Sequence, residues 1–332
     1  MSRTVNFPSL QGCWTPLTAA RDLRRKPLAD VLDGVPVVLF RDQNGTAQAL
    51  VDRCPHRSVK LSVGKLPGDG TIQCAYHAWR FDGTGACRAI PFNPRANKLS
   101  VVHAQALACE ERDGLLWLFA GDPADALPLD LPPALSGGWF GSILHYEWDV
   151  HWSRAVQTAL DVAHLPFVHR TTIGVAFGRK LGKTPNAQIS HRMALRSDGG
   201  FRMDWWIDGG DDVRPADAGW VEFHPPNGMS LVVSQKGDKQ SLLYIYLVPL
   251  ADGRSRQIII ARRNHSRYSP IPRLFDAFTP MIFREDERNM TTAWPSEVPT
   301  TGEEVSMPSD APSLQFQKWY RAWLNGLQAA TR

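Results

Sequence analysis

Four residues of types that bind transition metals lie in two pairs in the first third of the chain. The sequence contains Cys54-x-His56, then seventeen residues, then Cys74-x2-His77. Two thiolates and two imidazoles can hold a tetrahedral zinc ion, or a [2Fe–2S] centre in which two histidines replace two cysteines on one iron. Zinc sites commonly space Cys with Cys and His with His, whereas each pair here is mixed. The pattern favours the [2Fe–2S] centre, with the cysteines on one iron and the histidines on the other.

A second group of candidate ligands lies in the run QTALDVAHLPFVH. If Arg154–Leu165 is helical, Asp161 and His164 stand at i, i+3 on one face. His164 and His169 would be about 140° apart on a continuous helix, so we expect the helix to end before Pro166 and the chain to turn back. Two imidazoles and one carboxylate form the facial triad of non-haem Fe(II) sites that activate O2.

The elements that must position the first group are predicted to be β-strands. Short apolar runs, separated by turn signals such as Asn44-Gly45, fill residues 35–120. A segment rich in Pro and Asp follows from Gly121 to Pro133 and is predicted to be a linker. The predicted strands of this all-β part are Val35–Phe40, Ala47–Asp52 and Gly114–Phe119.

The remainder of the chain is predicted to form an antiparallel sheet flanked by helices, so the fold class is α+β. The predicted strands are Ser142–His151, Phe201–Ile207, Met229–Val233, Leu242–Pro249 and Gln257–Ala261. The predicted helices are about Arg154–Leu165, about Pro272–Trp294 and Pro312 to the C-terminus. A chain of 332 residues exceeds one typical domain, and we expect two, residues 1–125 and 126–332.

The sequence around the first group resembles the Rieske domain of the Rieske non-haem iron oxygenases over roughly residues 5–120. The runs that carry the resemblance are CPHRSVKLSVG and CAYHAWRFDGTGACRAIP. Ala78 is a departure, because the family usually has Gly there, and its methyl group is expected to crowd the cluster loop slightly without removing a ligand. Beyond the ligands, the match includes Arg57, Leu61, Gly64, Trp79, Gly85 and Ile90-Pro91.

The run DVAHLPFVH resembles the D-x2-H-x4-H iron motif in the catalytic domain of the same family. The resemblance implies that His164 and His169 bind a mononuclear Fe(II). It implies a third ligand from a late Glu-Asp pair, here Glu285-Asp286, with Asp286 at the matching position. It also implies that Asp161 is not a ligand. Asp161 would instead bridge, by hydrogen bonds, an iron-binding histidine and a cluster histidine of a neighbouring subunit.

The residues around the late pair favour the same choice of ligand. Glu285 and Asp286 are about 100° apart on a helix, so they cannot both face one metal ion. Phe283 and Met290 flank Asp286 at i−3 and i+4, which places it on an apolar face where a lone carboxylate is costly. Thr158 is a second departure, since many family members carry Asn there.

Taken whole, the resemblance implies an oxygenase component that uses O2 as co-substrate. It would hydroxylate or oxidatively demethylate a small substrate, aromatic or heterocyclic in character. Electron transfer across a subunit boundary implies a homotrimer. The sequence has no G-x-G-x-x-G fingerprint followed by an acidic residue, so NAD(P)H would be oxidised by a partner, a reductase or ferredoxin. The aromatic residues expected near the substrate are Trp205, Trp206, Trp220 and Phe223.

Two other classes of protein remain open at this point. One is a Rieske-type electron-transfer protein with an unrelated second domain and no oxygenation chemistry of its own, against which the second motif argues. The other is a structural zinc protein.

Composition excludes further classes. A net charge of +4 without a basic run interleaved with aromatics argues against nucleic-acid binding. Neither a segment of about 20 apolar residues nor a signal-peptide core is present, so we expect a cytoplasmic protein that does not enter a membrane.

Overall fold

The computed structural model describes residues 5–92, 101–135, 139–266, 271–299, 302 and 304–330. The chain divides into two compact units, the first of residues 1–131 and 250–252, the second of residues 132–249 and 253–332. Most of the predicted linker, as far as Leu131, belongs to the first unit. Trp14 Nε1 donates to the Leu127 carbonyl at 2.6 Å and Arg112 Nη1 donates to the Leu129 carbonyl at 3.2 Å, and these bonds hold it there. The domain boundary after residue 125 stays a prediction.

The first unit is made of short antiparallel strands. Their bounds are β1 Trp14–Ala19, β2 Leu28–Leu32, β3 Val35–Arg41, β4 Ala47–Val51, β5 Ile72–Gln73, β6 Arg80–Phe81, β7 Cys87–Ala89, β8 Ala106–Leu107, β9 Cys109–Arg112 and β10 Leu115–Phe119. Among the described residues they form three sheets, of order β1-β10-β9, β2-β3-β4-β8 and β5-β6-β7. The all-β prediction for this part of the chain is confirmed.

The core of the first unit includes the two candidate cysteine ligands. Cys54 and Cys74 pack in one cluster with Phe40, Leu50 and Phe81. Each of these five side chains is at most 2% exposed. Because the cysteines are part of a close-packed core, the loops that begin at them are held in place by packing as well as by hydrogen bonds.

The second unit is built on one seven-stranded antiparallel sheet. Its strands are β11 Ile143–Trp148, β12 Gln188–Leu195, β13 Phe201–Asp208, β14 Gly219–His224, β15 Gly228–Lys236, β16 Lys239–Pro249 and β17 Ser255–Arg263. The sheet order is β11-β17-β16-β15-β14-β13-β12. Its helices are α1 Trp152–Leu160, α2 Leu165–Val168, α3 Val175–Lys183, α4 Ile271–Met290 and α5 Ala311–Ala330.

The helices cover one face of this sheet. Alternate residues of β13, Phe201 and Met203, join the core that also contains Trp152 of α1 and Phe316 and Tyr320 of α5. The Trp152 ring lies 5.3 Å from Tyr320 and 6.5 Å from Phe316, both edge to face. The α+β prediction is confirmed. The part of the chain that the structure describes contains no helix long and apolar enough to cross a bilayer.

Two strands of the sheet were not predicted from the sequence, the edge strand β12 and the interior strand β14, which lies between β13 and β15. β12 and β14 were not predicted, because β12 carries mostly exposed or half-exposed residues and β14 is short and begins at a glycine. The helix predicted to reach the C-terminus is α5, which is described to Ala330, and residues 331–332 lie outside the described part.

Candidate active site

The first cluster loop begins where β4 ends. The Cys54 amide donates to the Val59 carbonyl at 2.8 Å, and the Ser58 amide donates to the Cys54 carbonyl at 2.9 Å. Ser58 has a φ of 60°, the left-handed conformation that closes such a tight turn. The turn leaves His56 at its tip, between the two hydrogen-bonded ends.

The second cluster loop repeats this arrangement. The Cys74 amide donates to the Trp79 carbonyl at 2.8 Å, and the Ala78 amide donates to the Cys74 carbonyl at 3.1 Å. Ala78 has a φ of 57°, matching Ser58 of the first loop. His77 sits near the tip. The two loops therefore present one cysteine and one histidine each from the same kind of turn.

Backbone contacts join the two loops. Lys65 and Gln73 exchange hydrogen bonds of 3.1 and 2.8 Å between their amides and carbonyls. Gly64 lies so close to the second loop that a Cβ there would be 2.0 Å from the Gln73 carbonyl oxygen. A side chain at this position would push the loops apart, which explains in physical terms why a glycine stands here.

The four candidate cluster ligands form two neighbouring pairs, one of histidines and one of cysteines. The His56 and His77 rings lie 4.6 Å apart, and His56 stacks on Trp79 at 4.3 Å with an interplanar angle of 4°. Burial raises the pKa of the Cys54 thiol to about 11, and the adjacent Cys74 thiol adds to the rise. His56 Nδ1 is buried without a hydrogen-bond partner among the described residues. A buried ring nitrogen without a partner and a pair of adjacent thiols fit a [2Fe–2S] centre with mixed ligands.

Ala78, which stands where the resembled family usually has Gly, affects the backbone conformation of the second cluster loop. We expect Ala78→Gly to stabilise the cluster-loaded protein by about 0.5–1 kcal/mol, because a left-handed conformation costs an L-residue about 1–2 kcal/mol and the greater freedom of unfolded glycine offsets part of that gain. Thermal unfolding measures the difference. Ala75→Gly is the control, since Ala75 lies in the same loop, is exposed and lacks a positive φ. Equal stabilisation by both substitutions would contradict the explanation.

The second candidate site begins with a helix that ends earlier than predicted. Helix α1 ends at Leu160, and Asp161 follows with φ −78° and ψ 117°. Asp161 and His164 are therefore not on one continuous helix, and that prediction is wrong. Pro166 does not end a helix either, because it lies in the first turn of α2. A proline there costs no hydrogen bond, since the backbone nitrogens of the first turn have no acceptor within the helix. His164 and His169 stand at the two ends of this single-turn helix.

Three candidate ligand atoms meet beside α2. His164 Nε2 and His169 Nε2 are 3.3 Å apart. Asp286 Oδ1, from α4, lies 3.5 Å from the first and 3.1 Å from the second. Metal–ligand bonds of about 2.1 Å at right angles place ligand atoms roughly 3.0 Å apart, so the spacing suits one metal ion. Among the described residues, only these three His, Cys, Asp or Glu side chains form a group whose ligand atoms all lie within 4.8 Å of one another.

The three side chains of this group are largely buried, and the candidate ligand oxygen of Asp286 has no hydrogen-bond partner outside the group among the described residues. Asp286 Oδ1 is buried and has no hydrogen bond of ordinary geometry within the described residues. The side chains of His164, His169 and Asp286 are 16%, 2% and 12% exposed. A carboxylate oxygen that is buried against two imidazoles without a hydrogen bond is costly unless a cation neutralises its charge. The donor set therefore fits a divalent ion such as Fe(II).

Glu285 is adjacent in sequence but lies on the far side of His169. Glu285 Oε2 is 2.8 Å from His169 Nδ1, the ring nitrogen that points away from the three-atom group. Thr172 Oγ1 donates to the same oxygen at 2.7 Å, and Thr171 Oγ1 donates to the other at 3.3 Å. The geometry favours Asp286 as the ligand, which stays a prediction. Sequence reasoning missed the contact with His169, since no pattern connects residues more than 100 positions apart.

Asp161 faces His164 from outside the three-atom group. Asp161 Oδ2 lies 3.7 Å from His164 Nδ1, and Oδ1 accepts a hydrogen bond from the Ala163 amide at 2.7 Å. Although burial opposes ionisation, His164 and the Ala163 amide hold the pKa of Asp161 below its usual value. Thr158 Oγ1 donates to the Arg154 carbonyl at 2.9 Å, so its hydroxyl is engaged by the backbone of its own helix.

Two cavities adjoin this site. One, of about 510 Å³, is lined by Asp161, His164 and Asp286. The other, of about 360 Å³, is mostly apolar and lies between α2, α3 and the strands β12 and β13. Phe177 and Trp205 line it, with ring centroids 5.4 Å apart.

Only one of the four aromatic residues expected near the substrate lines a described cavity, and it is Trp205. Trp206 is buried and donates to Asp208 at 2.8 Å, Trp220 stacks under the Arg202 guanidinium, and Phe223 packs on α5. Adjacent residues of a strand point to opposite faces, so Trp205 and Trp206 could not both line one cavity.

Comparison with known proteins extends these observations. Residues 13–104 match the Rieske [2Fe-2S] domain family, and residues 148–326 match the vanillate O-demethylase oxygenase C-terminal domain family. The methylxanthine N1-demethylase NdmA of Pseudomonas putida is 27% identical over 326 residues, 94% of this chain and 88% of the relative. The oxygenase component of dicamba O-demethylase from Stenotrophomonas maltophilia is 33% identical over 48% of each chain. The solved structure of NdmA with caffeine superposes with a TM-score of 0.76 at 26% identity, covering 93% of this chain and 89% of that one.

Paired Cys–His loops in one unit, with two histidines and a carboxylate meeting in the other, are features of an iron-dependent oxygenase. The second family match spans more than half of the chain, and the protein belongs to the Rieske non-haem iron oxygenases. It is an oxidoreductase, the oxygenase component of a monooxygenase system. Membership implies an electron-donating partner and a small-molecule substrate.

Proposed function

We propose that this oxygenase component removes a methyl group from nitrogen or oxygen on a planar aromatic or heterocyclic substrate, or hydroxylates such a substrate, at a mononuclear Fe(II). The observation that carries the proposal is the meeting of His164 Nε2, His169 Nε2 and Asp286 Oδ1 within 3.5 Å of one another. When bound, the cluster supplies single electrons and the ferrous ion activates O2. The proposed cluster ligands are Cys54, His56, Cys74 and His77.

The relatives and the apolar cavity support the substrate class. The names of the relatives describe demethylation of methylxanthine and of dicamba. The cavity beside α2 offers the Phe177 and Trp205 rings and few polar groups, which suits a flat, weakly polar ring. Pro166 and Phe167, between the two histidines, line the same cavity and would keep the ring close to the metal ligands.

The protein's own residues would prepare the site. His164 and His169 would present neutral Nε2 atoms, and Asp286 would supply the one negative charge. One carboxylate oxygen of Asp161 would accept a hydrogen bond from Nδ1 of His164 and so orient that ring. The other oxygen of Asp161 would accept a hydrogen bond from a cluster histidine of a second copy. This arrangement needs at least one further copy of the chain, and we propose a homotrimer in which each cluster serves the neighbouring site.

Charge at the two surfaces supports this pairing of copies. Arg57, Lys60 and Lys65 are exposed on the cluster loops. The cavity at Asp161 is lined by four carboxylates, Asp161, Asp286, Glu304 and Asp310, against one guanidinium, Arg154. A positive rim facing a negative cavity favours docking in this orientation.

The electron donor and the compartment complete the proposal. A reductase or ferredoxin would carry electrons from NAD(P)H, since the chain has no nicotinamide or flavin fingerprint. None of the five cysteines, all of which lie among the described residues, forms a disulfide, which suits the reducing cytoplasm where we propose that the protein works.

Iron content and oxygen consumption test the proposal. We expect roughly three irons per chain, two from the cluster and one more. With a surrogate reductase, N-methyl and O-methyl aromatic compounds should stimulate O2 consumption and release formaldehyde. Roughly two irons per chain and no substrate-dependent O2 consumption would instead indicate an electron carrier.

Asp161→Asn tests the bridge. We expect both kinds of iron to remain bound, while turnover falls by about 100-fold or more, because a neutral amide cannot serve as an acceptor for both histidines. Stopped-flow spectra should show the reduced cluster persisting after substrate and O2 are added. Loss of the mononuclear iron from this variant would show that Asp161 is a ligand.

A further inference from the structure

Glu285 combines features that the ligand set alone does not explain. Its carboxylate lies 2.8 Å from His169 Nδ1 and also accepts hydrogen bonds from Thr171 and Thr172. The side chain of His169 is 2% exposed, so its ring cannot find water in place of this partner. Both oxygens of Glu285 are thus held, one of them by two partners.

This contact determines which nitrogen of His169 is free. A neutral imidazole carries one proton, and the nitrogen that donates it to a carboxylate leaves the other with its lone pair available. With Nδ1–H donating to Glu285, the lone pair is on Nε2, which faces His164 and Asp286. The hydrogen bond also fixes the rotation of the ring and raises the basicity of Nε2.

His169 and His164 differ in how closely a carboxylate approaches the Nδ1 atom of the ring. The carboxylate nearest to His164 Nδ1 belongs to Asp161 and lies 3.7 Å away, beyond hydrogen-bond distance. Glu285 lies at full hydrogen-bond distance from His169 and is itself held by two hydroxyls. His169 is therefore already oriented by the polypeptide alone.

We propose that Glu285 is a positioning residue that holds His169 in the tautomer and orientation required for metal binding, and that Thr171 and Thr172 hold Glu285 in turn. The inference rests on the proposed function, in that it takes His164, His169 and Asp286 as ligands. Helix α4 then supplies both a metal ligand and, from the preceding residue, the group that orients a second ligand.

Fe(II) affinity is the direct test. The trimer with its cluster intact is freed of mononuclear iron and titrated anaerobically with Fe(II) against a competing chelator. We expect Glu285→Ala to raise the Fe(II) dissociation constant by about 10–100-fold, as for other partners of metal-bound histidines. Glu285→Gln should recover part of the loss, because its amide oxygen still accepts the Nδ1–H bond without the charge.

Matched variants separate orientation from general disturbance of the helix. Glu287→Gln removes the same charge two residues further along α4 and should leave the dissociation constant within twofold of wild type. Thr172→Val removes one hydroxyl from Glu285 and should weaken binding by less than Glu285→Ala. Cluster absorbance checks that every variant remains assembled.

Three outcomes would count against specific statements. Equal dissociation constants for Glu285→Ala and Glu287→Gln would overturn the positioning role. Complete loss of Fe(II) binding in Glu285→Ala, with binding retained in Asp286→Ala, would overturn it by making Glu285 the ligand. Failure of the wild-type protein to bind any Fe(II) beyond the cluster would overturn the proposed function itself, before any variant is compared.

Discussion

Asp286→Ala is expected to yield a coloured protein that has its cluster but no mononuclear iron and no substrate oxidation. Removing Asp286 Oδ1 leaves only His164 Nε2 and His169 Nε2, two neutral donors, and a facial triad needs its anionic oxygen. Turnover should fall by more than about 100-fold, because about 100-fold is the usual upper effect of losing only a residue that hydrogen-bonds to a metal ligand. Iron analysis, the cluster absorption spectrum and O2 consumption measure the three parts of this expectation.

The adjacent carboxylate provides the matched comparison. Glu285→Ala removes a carboxylate from the next position of the same helix, and at saturating Fe(II) it should still bind the mononuclear iron. If Asp286→Ala keeps that iron and Glu285→Ala loses it at every Fe(II) concentration, the ligand is Glu285 and the assignment made from the geometry is wrong.

Cys74→Ala is expected to remove the cluster and with it the red-brown colour and the electron paramagnetic resonance signal. Cys54 and Cys74 are proposed as the two thiolate ligands of one iron, so one alone cannot hold it. Because both are in the core of the first unit, this unit should also lose stability when the cluster is absent. Visible absorption and thermal unfolding follow the two effects.

Cys87→Ala is the control for this substitution. Cys87 is also buried in the same core, but its thiol faces the Ala89 carbonyl at 3.7 Å. The variant should keep its full colour while losing a comparable amount of packing. A fully coloured Cys74→Ala protein would refute the ligand assignment.

The cluster loops could be predicted in detail because their information is local. Each pair, Cys54 with His56 and Cys74 with His77, lies within one tight turn, and the residue types in that turn dictate its shape. The consequence of Ala78 could not be read from the sequence. A methyl group was expected to crowd the loop, whereas the structure places the cost in the positive φ of the backbone.

The helix that contains the second motif was predicted less well. Periodicity suggested one helix to Leu165, but the chain leaves α1 at Leu160 and re-enters a helix at α2. At the break Asp161 has an extended backbone, and its Oδ1 accepts a hydrogen bond from the Ala163 amide, which offers the backbone an alternative to the helix. The periodicity of apolar residues does not report such a side-chain hydrogen bond.

By itself, the sequence specified the residues that we propose as metal ligands and the order of the two units, since residue types and short spacings indicate both. Only the tertiary structure decided which atoms meet. Asp286 reaches His169 across more than 100 residues because α4 packs beside α2, and the same packing places Glu285 against the opposite nitrogen of that ring. Adjacent residues of a helix differ by about 100° in direction, so Asp286 can face the metal site while Glu285 faces the outer nitrogen of His169. Where α4 lies beside that ring is not encoded in any local pattern.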